Sequence, residues 1–198
     1  MPAAGRITPV AATTPLGPTE FTLVLLRRMA DHQPVLVEDA LRTLGVTHAD
    51  LREANRRWQA WSHARGAPKG ERRYRIVLGP PEAEQTRRIG DLTCRAPYWP
   101  VPLWPTLRFE ILCAPQGGAT WNEWLIRTPG DPGPQPRTAA DLTPWSCTVD
   151  EVARAFAPVV PMEGDAPTRW RLGFTDPSDG RERVAHFTYG LLQYVDGS

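Results

Sequence analysis

Lysine is almost missing from this chain: Lys69 is its single lysine, beside 22 arginines. That skew fits a GC-rich coding sequence and carries no functional argument. Cysteine is scarce too, with Cys94, Cys113 and Cys147 far apart and in no CxxC pair. Three scattered thiols exclude a disulfide framework and read as reduced cysteines. No apolar run approaches the ~20 residues that a membrane-spanning helix needs. The opening "MPAAGRITPVAATTPLGP" has neither the apolar run of a signal peptide nor a basic start. These absences predict a cytoplasmic protein that does not enter a membrane.

Catalytic signatures are missing as well. His32, His48, His63 and His186 show no metal-ligand spacing, and none lies near a cysteine. "QGGAT" has two glycines but lacks the lysine and the strand–helix context of a phosphate loop. "DPSDG" is best explained by turn residues. Glu110 and Glu123, on neighbouring strands of one hairpin, are the one carboxylate pair that could face each other, and two solvated side chains are the plainer account. The expectation is a protein with no enzymatic activity, no metal and no cofactor.

What is present is a soluble globular composition: 41% hydrophobic and 23% charged residues over 198 positions, with 22 prolines and 16 glycines. So many loop formers predict short elements. The net charge is only +1, but it is unevenly spread. Residues 19–75 hold eleven Lys/Arg against seven acids, and residues 76–198 hold eleven arginines against fifteen acids. A basic end joined to an acidic remainder points to a polyanion contact at that end.

Along the chain, residues 1–18 are small, Pro-rich and nearly uncharged, and are expected to be a flexible tail. "PTEFTLVLLRRMADH" predicts a first helix capped by Thr19, "VLVEDALRTLG" a second, and "HADLREANRRWQAWSHARG" a third with Leu51, Ala54, Trp58 and Trp61 inward. "RRYRIVLG" alternates at Tyr74, Ile76 and Leu78 and predicts a strand. "TLRFEILCAP" and "WNEWLIRTP" form one predicted hairpin; "RWRLGFTD" and "RERVAHFTYGLLQYV" form another around "PSDG". "CTVDEVARAFAPVV" predicts one helix between them. "APYWPVPLWP" and "TPGDPGPQPRTAA" read as Pro-rich punctuation. The expected fold is α+β: a tri-helical head over 19–80, winged if the strand is right, then an antiparallel sheet body with one helix over 81–198.

The stretch "DALRTLGVTHADLREANRRW" carries the strongest functional signal. Ala40–Leu41, then Leu44-Gly45-Val46-Thr47, then Leu51 resembles the helix-turn-helix superfamily of DNA-binding proteins. Gly45 can take the left-handed turn, Val46 can plug the angle between the helices, and Thr47 can cap the second. The order Ala-Leu departs from the commoner Leu-Ala, and Glu53 sits where phosphates would lie. The resemblance implies duplex DNA as partner. Thr47 and His48 would then stand at the groove-entering end, with Arg52, Arg56 and Arg57 close to bases or phosphates. Downstream, Arg65, Lys69, Arg72 and Arg73 would be wing residues on the backbone, a salt-sensitive and sequence-blind contact. The plain alternative is two ordinary helices and a solvated charged face.

Eight tryptophans are many for this length, and five of them, Trp99, Trp104, Trp121, Trp124 and Trp145, crowd the middle of the chain. They are either core or a Trp/Pro-rich surface that binds a protein partner, or a second copy of the chain, through the body. The leading expectation is a regulatory DNA-binding protein using the head. The alternative is a protein-interaction module with a purely structural head. Arg52, Arg56 and Arg57 discriminate. An exposed face shared with Thr47 and His48 favours DNA, whereas ion pairs to acids of the body disfavour it.

Overall fold

Gly17 N–H donates to Glu20 Oε2 at 3.0 Å and Pro18 occupies the first helical position, so α1 (Pro18–Met29) starts with its orphan donors satisfied. Every residue from Phe21 to Leu26 is buried, and so is Met29. A helix whose middle is buried all round has to be surrounded, and α1 runs through the first core, with only its ends, Pro18–Thr19 and Arg28, exposed. It is wrapped by α2 (Pro34–Leu44), α3 (His48–Ser62) and α4 (Glu71–Leu78), and by one face of an antiparallel sheet. The computed structural model describes residues 16–116 and 119–197. The tail expected over 1–18 therefore lies almost wholly outside the described residues, as do Gly117 and Gly118 of "QGGAT".

The fold is α+β with two four-stranded antiparallel meanders. The first is β1 (Ala83–Ile89), β2 (Leu92–Val101), β3 (Trp104–Cys113) and β4 (Thr120–Arg127). A 3-10 turn (Ala139–Asp141) and α5 (Val149–Ala155) lead to the second: β5 (Val160–Glu163), β6 (Arg169–Thr175), β7 (Glu182–Thr188) and β8 (Leu191–Asp196). Both predicted hairpins are present, as β3–β4 and as β6–β7.

Three expectations are corrected. "RRYRIVLG" is the helix α4, so the head has no strand wing. Tyr74 and Val77, three apart, are buried, while Ile76 is 56% exposed. An i,i+4 pair between Glu71 and Arg75 (2.5 Å) adds to the helix. A short apolar run fits either period, and the choice fell to tertiary burial. "CTVDEVARAFAPVV" is helical only to Ala155, because the position before Pro158 is biased away from the helical region and Val160 opens β5. The body also has more strands than the two hairpins supply. The segment read as punctuation belongs partly to β2, which pairs with β1 over Leu92–Tyr98 and with β3 over Tyr98–Val101. Pro97 and Pro100 each sit where one side of the strand has no ladder partner, and this is how a central strand tolerates them.

One apolar core joins α1–α4 to Trp99, Val101, Leu107, Phe109, Ile111 and Leu125 of the first sheet. A second core lies between α5 and the second sheet, around Val152, Phe156, Leu172, Phe174 and Phe187. The two meet where β4 runs beside the β7–β8 turn, Leu125 N–H donating to Tyr189 O at 2.7 Å. Gly190 in that turn has φ +72°, and a Cβ there would stand 2.8 Å from Trp124 Cβ. Only glycine allows the close approach. Among the described residues no helix is long and apolar enough to cross a membrane.

Candidate functional site

The α2–α3 corner is built as its residues dictate. Gly45 stands at φ +68°, ψ +31°, and its N–H and that of Val46 return to carbonyls of the last turn of α2. Thr47 opens α3 with a capping box: its N–H donates to Asp50 Oδ2 at 2.8 Å, and its hydroxyl accepts from Asp50 N–H. The Thr47 hydroxyl and backbone N–H hold the Asp50 carboxyl below the usual carboxylate range. Leu51, Ala54 and Trp58 point inward, leaving Thr47, His48, Arg52 and Arg56 exposed on the same helix.

The exposed cations of that corner are largely countered by neighbouring acids. His48 Nε2 lies 2.5 Å from Glu38 Oε2 of α2, and Arg56 grips Glu53 with two bonds of 2.8 and 2.7 Å. Arg57 is half-buried. Arg73 is absorbed into the structure, with Nε on Pro68 O at 3.1 Å and its guanidinium 6.0 Å from the Trp58 ring. Arg52, Arg65, Lys69 and Arg72 are exposed and make no ion pair among the described residues. The first turn of α3 is thus nearly charge-balanced, and of the cations without an ion pair Arg52 lies on α3 while Arg65, Lys69 and Arg72 follow it.

The aromatic surface does not assemble. Trp58 and Trp99 are core, Trp104 packs edge-on against Trp145 at 5.5 Å, and Trp124 meets Trp170 at 6.3 Å. Trp121 is 48% exposed and makes no ring contact among the described residues. The expected carboxylate pair is also corrected. Glu110 registers with Trp124 and Glu123 with Ile111, so the strand alternation puts the two acids on opposite faces. Glu110 is fully buried on the outer face, accepting from Trp124 Nε1 at 3.0 Å and from Arg87 Nε at 3.2 Å.

Glu123 faces α4, where burial raises its pKa while a hydrogen bond from Tyr74 and the charge of Arg73 oppose the rise. A raised carboxyl pKa means that the folded chain keeps a proton the unfolded chain has released. Its contribution to stability is complete below the unfolded pKa, near 4.3, and is lost as pH rises through the folded value. Glu123→Gln, which cannot ionise, should therefore gain stability over the parent as pH climbs from acid to neutral. Thermal unfolding of both proteins across that range checks this; a parent–variant difference that does not change with pH would refute it.

A second constellation has a signal in the hairpin register alone. The "PSDG" turn fixes Thr175 opposite Glu182, and therefore Arg171 opposite His186; β8 adds Tyr194 beside His186. These three form a row across the outer face of the second sheet. His32, from the turn after α1, leans on Tyr194 at 5.2 Å, and His186 stacks on it at 4.2 Å. A cavity of about 290 Å³ opens there, closed on one side by Glu163–Asp165.

No protein-family model matches the chain, and no curated protein matches it. Among solved structures it is similar to one described as a "putative beta-lactamase inhibitor protein" from Streptococcus mutans. Identity is 12%, the match covers 68% of this chain and 85% of that one, and the TM-score is 0.26. A likeness that slight carries no argument.

Proposed function

We propose that this chain is a regulatory DNA-binding protein that grips duplex DNA mainly by its phosphates, through the helix-turn-helix-like corner and the basic segment that follows it. The observation that carries the reading is the group Arg52, Arg65, Lys69 and Arg72, exposed and without ion pairs among the described residues. The acids that engage His48 and Arg56 belong to α2 and α3, not to the body. Glu53 and Asp50 on the entering turn weaken base reading, so the contact is largely sequence-blind.

Full-length protein titrated with a duplex probe at two salt concentrations tests this. In the triple variant Arg65→Ala, Lys69→Ala, Arg72→Ala, the slope of log affinity against log salt should flatten by about 3, since each lost phosphate contact removes roughly 0.9 of slope. The melting temperature should barely move, because the three side chains are solvated. Equal slopes in parent and variant would overturn the proposal.

A second reading, contact with another protein or a second copy, is favoured by apolar side chains left bare on the outer strands. Val160 and Met162 on β5 and Ile89 and Leu92 at the β1–β2 tip are 37–65% exposed. If no duplex binds at either salt concentration, this reading replaces the first.

A further inference from the structure

We propose that the cleft between the α1–α2 turn and the outer face of the second sheet binds a small oxyanion, a phosphate or a carboxylate. The inference is independent of the DNA reading.

Several charges in the cleft are already matched. Arg169 bridges Asp31 of the α1–α2 turn at 2.6 Å and Asp165 of the β5–β6 loop at 2.9 Å, and is spent. His186 Nε2 lies 2.8 Å from Asp196 Oδ2. Arg171 donates Nε to the carbonyl of Glu163 at 2.8 Å and has no carboxylate partner among the described residues. The His32 ring makes a ring contact with Tyr194 and no hydrogen bond among the described residues. Two donors from separate elements, a guanidinium on β6 and an imidazole on the turn, are therefore left over in one cavity, against one carboxylate, the exposed Glu163, that has no ion pair among the described residues. A planar guanidinium fork with a second N–H donor is a fit for an oxyanion. A cation is disfavoured: among the described residues no three His, Cys, Asp or Glu side chains are grouped to hold a metal ion.

The surrounding acids decide the pH dependence. Around His32 stand Asp31 on its own turn, Glu163 at the end of β5, Asp165 on the β5–β6 loop, Arg169 and Arg171 on β6, His186 on β7 and Tyr194 on β8, with Asp196 of β8 paired to His186. Burial and Arg169 outweigh Asp31 and Asp165, holding the imidazole below its ordinary pKa and so neutral at pH 7. An anion beside it favours the protonated ring, and binding carries a proton into the cleft. Affinity should rise as pH falls, by up to tenfold per unit for one linked proton.

The test titrates full-length protein with inorganic phosphate and, separately, with malonate, at about pH 6 and about pH 8, following heat and the His32 ring protons by NMR. Saturable binding of either anion, tighter at the lower pH, is the expected result. The tighter arm tells a phosphate site from a carboxylate one. Arg171→Gln should weaken binding by about tenfold or more, as loss of a charge-assisted donor does, with Arg88→Gln unchanged as the control. His32→Gln should flatten the pH dependence. If Arg171→Gln fails to fold, Arg171→Lys keeps the charge and loses the fork, and weakened binding is again expected. Absence of saturable binding by both anions, or an unaffected Arg171 variant, overturns the proposal.

Discussion

Arg127→Ala is expected to cost about 3–5 kcal/mol of stability, the penalty of leaving a buried charge without its partner. Arg127 stands at the end of β4, and its Nε and Nη2 hold the Glu151 carboxylate of α5 at 2.7 and 3.1 Å. The remaining donors reach Ser146 O at 2.9 Å and Thr106 Oγ1 at 3.1 Å. The Glu151 side chain is 2% exposed, and its one other donor among the described residues is the Thr148 backbone N–H at 2.7 Å. Removing the guanidinium therefore strands the carboxylate at the seam between the two sheets. For a chain of this length the loss corresponds to a melting temperature lower by roughly 6–20 °C. The double variant Arg127→Met, Glu151→Gln separates loss of the pair from loss of packing. It keeps an acceptor for Thr148 and removes both charges, so it should recover much of the deficit. A single variant that melts within a degree or two of the parent would show that the seam does not depend on this pair.

How much of this was legible in the sequence depends on where each residue's partner lies. Gly45 and Thr47 act through neighbours three or four residues away, so their left-handed turn and cap could be read from "TLGVTHAD" alone. Tyr74 and Val77 take their direction from α1 and Trp99, far off in sequence, so a short apolar run gave the wrong period at α4. β2 was missed because Pro97 and Pro100 normally argue against a central strand, and nothing local shows that the ladder is staggered around them. The same division runs through the candidate sites. Exposure of Arg52 and Arg56 follows from the inward stripe Leu51, Ala54 and Trp58. The pairing of Arg56 with Glu53, three residues back on the same helix, follows from spacing too, whereas Glu38 reaches His48 only through the angle between two helices. Arg171, His186 and Tyr194 were within reach, since a two-residue alternation and one turn fix their row. His32 was not, because its place on Tyr194 depends on how the helical layer sits against the second sheet.

Phe109→Ala is expected to destabilise the chain by about 3–5 kcal/mol, the usual result of emptying a buried phenylalanine site. Phe109 is fully buried on β3, between Trp99 of β2 and Leu125 of β4 in the sheet register. Its ring meets Phe21 of α1 edge-on at 4.8 Å and Tyr74 of α4 at 5.1 Å. Each such aromatic pair adds about 0.5–1.5 kcal/mol beyond area burial. The side chain therefore stitches the helical layer to the sheet, and its loss should weaken both together. Hydrogen exchange on the variant would read this directly, with amides of α1 and of β3 losing protection in parallel. The same geometry predicts that a fragment ending at residue 80 does not fold by itself, since Phe21 and Tyr74 would lose Phe109 and Trp99 as neighbours. For that reason the charge variants belong in the full-length chain. Protection lost from β3 while α1 keeps its own would mean that the helices close a core without the sheet, and a folded N-terminal fragment should then be obtainable.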